Sequence, residues 1–149
     1  MLTLRQADAQ DLDTLVPLVE SYRRFYRQPP DTDGVRHFLA ARFAKGDAHL
    51  LLAFEHHRAV GFVQLFPVPS TNDLAPRWIL NDLYVDPDVR RRGTGTALLE
   101  AARELAAAHG VPKLMLRTQV DNAEAQSRYR ALGWQRDDAF DTYLLSVTQ

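Results

Sequence analysis

The sequence predicts an α/β fold, a mixed sheet flanked by helices, and three observations carry that prediction. Alternating or continuous apolar stretches are interleaved with stretches whose apolar residues recur every three or four positions, in the order β-α-α-β-β-β-α-β-α-β-β. The 149 residues are 46% hydrophobic and 25% charged, enough apolar content for a single domain, 1–149, with a sizeable core. No repeat, linker or low-complexity segment divides the chain.

Taken in order, Leu2 to Ala7 alternates apolar and polar residues, the pattern of a short strand. Asp8 and Asp11 can cap a helix start. Leu12, Leu15, Val19, Tyr22 and Tyr26 then follow at spacings of three and four, so a helix is expected to about Arg27, kinked at Pro17. Pro29 and Pro30 end it. Asp31 or Thr32 caps a second helix with Val35, Phe38, Leu39 and Phe43 on one stripe, closed by Gly46. His49 to Phe54 is nearly continuous and apolar, the mark of a strand buried on both faces. A turn at residues 55–58 leads to a returning strand, Ala59 to Phe66, and a loop is expected from Pro67 to Pro76. Arg77 to Val85 is the next strand. A helix from Thr94 carries Leu98, Ala102, Leu105 and His109 on one stripe, and Gly110 and Pro112 stop it. Lys113 to Gln119 reads as a strand. Asp121 or Asn122 caps a helix from Ala123 to about Leu132, and strands at 134–136 and 140–147 close the chain.

The stretch from Leu80 to Glu100 organises the rest. A strand stops near Asp86 because Pro87 fixes φ and removes a donor. Arg90, Arg91 and Arg92 then stand before Gly93-Thr94-Gly95 and the start of the Ala- and Leu-rich helix. The first free amides of a helix point outward along a positive dipole, an anion site before any side chain is added. The segment is therefore suited to a phosphate-bearing ligand, the bland alternative being a basic turn that caps an ordinary helix. A dinucleotide fingerprint would need a third glycine at Leu98, and no Gly-Lys-Ser/Thr run exists for a Walker loop. The remaining pattern, Arg90-x-x-Gly93-x-Gly95 behind Leu83-Tyr84-Val85-Asp86-Pro87, resembles the acyl-CoA pyrophosphate loop of the GCN5-related N-acetyltransferases (GNAT). A second signature of that family is matched by Asn122, Ala125 and Tyr129, spaced as Asn-x-x-Ala-x-x-x-Tyr, followed by Leu132-Gly133-Trp134. Leu80 to Val85, Leu116 to Gln119 and Phe140-x-x-Tyr143 look most like the small histone and polyamine acetyltransferase branch.

The resemblance implies a GNAT acyl-CoA N-acyltransferase fold and transfer of an acetyl group from acetyl-CoA to a primary amine, carried by a small molecule or by a protein or peptide. It implies a splay between the strands ending near Val85 and at Leu114 to Thr118. The pantetheine of acetyl-CoA would lie there along Leu83, Tyr84 and Val85, steadied by Asn122. Its diphosphate would rest on the Arg90, Arg91, Arg92, Gly93, Thr94, Gly95 and Thr96 segment. Tyr129 matches the general acid that protonates the leaving thiolate; taken alone it would read as a core aromatic with its hydroxyl at the rim. A free alkylamine has a pKa near ~10.4, so the site must help the attacking nitrogen lose a proton. Asn81 stands where the polyamine branch can carry a glutamate; an amide cannot take that proton and can only orient an amine or a water. Asp82 has the chemistry, but strict alternation turns it to the other face unless a bulge intervenes, and the bland alternative is a buried carboxylate pairing with a helix or loop donor. A water-relayed proton exit past Asn81 is the expected route. Tyr22, Phe25, Tyr26 and Phe66 are candidates to line the acceptor pocket, with Asp82 as a further substrate contact.

Composition narrows the partners. A net charge of −1 gives no electrostatic case for nucleic acid or a membrane surface, and the interleaved bases and aromatics at Tyr22 to Arg27 fit a helix with a buried aromatic stripe and solvated arginines. The chain has no cysteine, so a disulfide framework, a thiol nucleophile and an acetyl-thiol intermediate are excluded. No metal is expected, since His56-His57 lacks a matched third ligand. The first residues lack the apolar stretch of a signal peptide, which makes the cytoplasm the expected location. The resemblance implies a homodimer. Two rivals stay open at this stage: a non-catalytic acyl-CoA-binding or sensor module, and an interaction domain that has lost the cofactor.

Overall fold

The computed structural model describes residues 1–90 and 92–148. Its backbone is a five-stranded sheet in the order β1-β2-β3-β4-β5, made by Leu2–Gln6, His49–Glu55, Arg58–Ser70, Ala75–Val85 and Lys113–Leu116. The first three pairings are antiparallel and β4–β5 is parallel, the crossover between them being α3, Thr94–Ala108. This is the mixed, helix-flanked sheet expected from the pattern. Helices α1, Leu12–Phe25, and α2, Thr32–Lys45, connect β1 to β2, and α4, Ala123–Ala131, follows β5. The chain falls into two units, Met1–Arg117 with the whole sheet and α1 to α3, and Thr118–Gln149 with α4.

Local chemistry explains the boundaries. Asp8 and Asp11 form a reciprocal capping box, and Arg5 forks onto Asp11 at 2.7 and 2.8 Å, tying β1 to the start of the first helix and holding the Asp11 carboxyl below its ordinary value. Helix α1 accommodates Pro17 inside one continuous element and ends at Phe25, two residues short of the expected Arg27, where the chain turns left-handed. Asp31 caps α2 by accepting from the Gly34 amide, and Gly46, at φ 63°, closes it. One core joins Leu15, Val16 and Leu18 of α1 and Val35 and Leu39 of α2 to Leu50, Leu52 and Phe62 of the sheet. On the opposite sheet face His49 stacks on Trp78 at 4.2 Å, and His109 at the end of α3 meets both rings. Helix α3 buries Leu98, Leu99, Ala102 and Ala106.

Three expectations are corrected. The loop expected at Pro67 to Pro76 is mostly a β3–β4 ladder, and only residues 71–74 turn. Beyond Leu65, β3 has no β2 partner, so Pro67 and Pro69 forfeit no ladder bond on that edge. β5 stops at Leu116 instead of Gln119. The closing strands expected at 134–136 and 140–147 do not form among the described residues, and Phe140, Tyr143, Leu144, Leu145 and Val147 are exposed. Apolar alternation supplies a strand with a face to bury, but a strand also needs a backbone partner, and no ladder engages this segment.

Candidate functional site

β4 parts from β5 halfway along its length. The parallel pairing runs from Arg77 opposite Lys113 to Leu80 opposite Leu116, whereas β4 continues to Val85, paired with Gly61 of β3. From Asn81 to Val85, β4 therefore has a strand on one side and, among the described residues, none on the other. Backbone donors and acceptors on that side are open to an extended chain carrying amides of its own.

A bulge sits at the parting point. Asp82 pairs with Gln64 and Leu80 with Leu65, which leaves Asn81 as the extra residue. The parity of β4 reverses across it. Tyr84 and Asp82 lie beside Phe62 and Gln64 on the face covered by α1, while Leu80 and Trp78 lie beside Leu65 and Pro67 on the other. Asn81 and Asp82, neighbours that would diverge in a regular strand, are close enough for the Asn81 amide to donate to Asp82 Oδ1 at 3.1 Å. A bulge thus intervenes next to Asp82, which stays on the face of Tyr84.

Asp82 is buried, and its second oxygen, Oδ2, accepts from Gln64 Nε2 at 2.7 Å. Gln64 is 3% exposed, and its carbonyl oxygen Oε1 has no hydrogen-bond partner. Above them the Tyr22 phenol is pushed well above its ordinary value, first by burial and then by the charge and hydrogen bonding of Asp82, with Arg117 opposing. It stays protonated. Tyr22 also contacts Tyr26 at 5.0 Å and Phe62 at 5.9 Å, and Phe25 meets Tyr26 at 5.1 Å. Phe66 shares the β3 face of Gln64 and lies opposite Ile79, apart from those ring contacts.

The open stretch of β4 runs straight into the arginine segment. Asp86 caps a 3-10 turn at Pro87–Val89, after which Arg90 Nε donates to the Val85 carbonyl at 3.0 Å. The Arg90 guanidinium lies 5.9 Å from the Phe25 ring and 6.0 Å from that of Tyr84. Arg92 pairs with Glu55 at the end of β2, at 2.9 Å, and Arg91 lies outside the described residues. Gly93 stands at the N-cap of α3 with φ 85°, a left-handed conformation that glycine adopts without penalty. The first intrahelical bond among the described residues is Ala97 N–H to the Gly93 carbonyl, and among those residues the amides of Thr94, Gly95 and Thr96 have no helical acceptor. No side chain of the described residues caps them, and the first turn carries no acid. Free amides, a positive dipole end and two arginines make a fit receptor for a diphosphate.

In the second unit Asn122 caps α4, its Oδ1 accepting from the Ala125 amide at 3.2 Å, so its side-chain carbonyl is already engaged. Tyr129 lies half-buried on α4 with its ring 6.1 Å from Trp134. Among the described residues no three His, Asp or Glu side chains cluster as metal ligands, and no helix is long and apolar enough to cross a membrane.

Sequence reasoning passed over Gln64, Gly61, Glu55 and Arg117. Gln64 had a signal, being the one polar residue in the apolar run Val60 to Phe66. Gly61 had a weaker one: a Cβ there would sit 2.7 Å from the Tyr84 carbonyl oxygen and 3.2 Å from Leu98, so the bare backbone lets β4 and α3 close in.

Comparison with known proteins agrees with this geometry. A family model described as the acetyltransferase (GNAT) family matches residues 15–134. An uncharacterized N-acetyltransferase of Bacillus subtilis (strain 168), YhfO, is 38% identical over 146 residues, 98% of each chain. An aminoglycoside N(6')-acetyltransferase type 1 of Klebsiella aerogenes is 29% identical over 102 residues, 67% of each chain. A crystal structure of a probable acetyltransferase superposes with a TM-score of 0.92 at 34% identity, covering 99% of both chains.

Proposed function

This chain belongs to the acetyltransferase (GNAT) family and is an N-acetyltransferase; on that premise we propose direct transfer of the acetyl group of acetyl-CoA to a primary amine in a ternary complex. The observation that carries the proposal is the open β-edge from Asn81 to Val85, suited to the amides of a pantetheine arm, together with the free-amide start of α3 at Gly93 to Thr96, suited to a diphosphate. In this reading Leu83, Tyr84 and Val85 pair with the arm. Arg90, Arg91 and Arg92 and the Gly93 to Thr96 backbone take the phosphates, and Asn122 steadies the arm or nearby backbone.

Acetyl-CoA, when bound, supplies an activated thioester. Asn81, exposed beside the open edge, orients the amine and the water that removes its proton. As the N–C bond forms and the C–S bond breaks, the Tyr129 phenol donates a proton to the departing sulfur and is replenished from solvent. What supports Tyr129 is its place in the Asn122 to Trp134 motif. A small-molecule amine is the acceptor class we propose, in keeping with the relative named for aminoglycosides, and a homodimer located in the cytoplasm is the expected assembly.

The test is thiol release from acetyl-CoA with a panel of amines, wild type beside Tyr129→Phe, with CoA affinity measured in parallel. The variant is expected to lose about 10²- to 10⁴-fold in kcat with CoA affinity retained. Undiminished turnover removes Tyr129 as the acid, and tight CoA binding without release on any amine points to a binding module.

A further inference from the structure

We infer that Arg117 holds a carboxylate of the acceptor, and that the acceptor is therefore an amino acid, its nitrogen presented at Asn81 and its anionic group across the splay. The inference rests on the acetyltransferase reading and adds the substrate class to it. The register of the sheet puts Arg117 in place. Lys113 lies beside Arg77 and Met115 beside Ile79. Ile79 lies opposite Phe66, on the face that Gln64 and, past the bulge, Asp82 share. Alternation carries that face from Met115 to Arg117, one residue beyond the end of β5, where β4 has already lost its parallel partner. Arg117 thus stands across the splay from Asp82, on the face where Tyr22 of α1 packs against Phe62. The Tyr22 phenol lies within reach of both charges, responding to Asp82 and, in the opposite sense, to Arg117.

The two charges are not equally provided for. Asp82 is buried and receives the Gln64 amide at 2.7 Å, the Asn81 amide at 3.1 Å and the Tyr22 hydroxyl. Arg117 is exposed, and among the described residues no carboxylate or carbonyl accepts from it. Other arginines around the groove are matched: Arg58 to Asp86, Arg92 to Glu55, and Arg90 to the Val85 carbonyl. A guanidinium offers five N–H donors in a planar fork, and two of them fit the two oxygens of a carboxylate. The charge count favours a carboxylate over a phosphate. One cation balances one negative charge, and a dianion would leave an excess facing Asp82. Opposite charges on the two sides of the splay also orient what enters. The positive end of an amino acid is drawn toward Asp82 and Asn81, its negative end toward Arg117, which brings the nitrogen to the open edge of β4.

The experiment measures thiol release from acetyl-CoA with a panel of α- and ω-amino acids, each beside its carboxamide, for wild type, Arg117→Gln and Arg117→Lys. The best acceptor in wild type is expected to be an acid, favoured over its carboxamide in kcat/KM by about five- to tenfold, between the scale of an exposed and of a desolvated charged contact. That preference should shrink as salt is added. Arg117→Gln should bring the ratio close to one through the KM of the acid, and Arg117→Lys, which keeps the charge but not the fork, should retain part of it. A carboxamide used as well as its acid in wild type overturns the inference. So does an Arg117→Gln protein in which acid and carboxamide slow together with their ratio unchanged, the behaviour of a residue that only braces the splay. Calorimetric titration of the acids into the CoA-bound protein separates the two levels. Binding that Arg117→Gln weakens upholds the carboxylate seat even if no amine releases thiol, an outcome that would sink the transfer reading alone, and no binding by any acid of the panel overturns the seat.

Discussion

The two halves of β4 differ in every physical respect, although the strand is continuous. From Arg77 to Leu80 it is paired on both edges, and Trp78 and Leu80 are buried. From Asn81 to Val85 it is paired on one edge only, its parity is reversed, and it carries an exposed amide next to a buried carboxylate. The first half satisfies its own backbone and holds the sheet together. The second leaves hydrogen-bonding capacity unspent, which a stable sheet would avoid and a binding groove requires. One extra residue, Asn81, separates the two regimes.

Three measurements would break or sharpen this contrast. The largest effect is expected from Leu80→Ala, which empties a fully packed position and should cost about 2–5 kcal/mol in urea unfolding. Leu83→Ala, in the half-open stretch, should cost less than half as much, and equal costs would mean the halves are packed alike. Next comes Gly61→Ala, opposite Val85. The added methyl meets the Tyr84 carbonyl at 2.7 Å, so β4 must shift, at a cost of about 1–3 kcal/mol. Because the shift falls on the open half, CoA affinity should drop with it; an affinity equal to wild type would detach that half from cofactor binding.

The smallest effect belongs to His49, stacked on Trp78 in the closed half. Burial, and secondarily His109, holds its imidazole below the ordinary value. The unfolded chain then takes up the proton at a higher pH than the native protein does. Stability attached to this ring is intact above a pH of about 6.5 and declines as pH falls below it. Thermal melts between pH 7.5 and 5.5 should show a shallower decline for His49→Gln than for wild type. Parallel curves would place the titration elsewhere.

Much of this was legible in the chain. The capping box at Asp8 and Asp11, the stop at Gly46, the glycine entry to α3 and the cap at Asn122 are local devices, set by chemistry within a few residues, and each formed where the sequence put it. The bulge at Asn81 was not. Register between two strands depends on which residues face each other across the ladder, and alternation along one strand cannot reveal an insertion relative to the other. Gln64 escaped for the same reason, since its importance comes from pairing with Asp82, 18 positions away. The tail from Phe140 to Val147 shows the converse failure, a strand-like pattern without a partner to make it a strand.

Pro67 and Pro69 sit on the part of β3 that outruns β2, where they cost no β2 pairing. They also decide what this edge can become. An uncovered strand edge offers a row of donors and acceptors to any other extended chain, and the β3–β4 hairpin projects such an edge past the rest of the sheet. Two residues without N–H groups, two positions apart, interrupt that row where it would otherwise template edge-to-edge growth. On that edge the long hairpin offers an incoming strand only a broken row of donors.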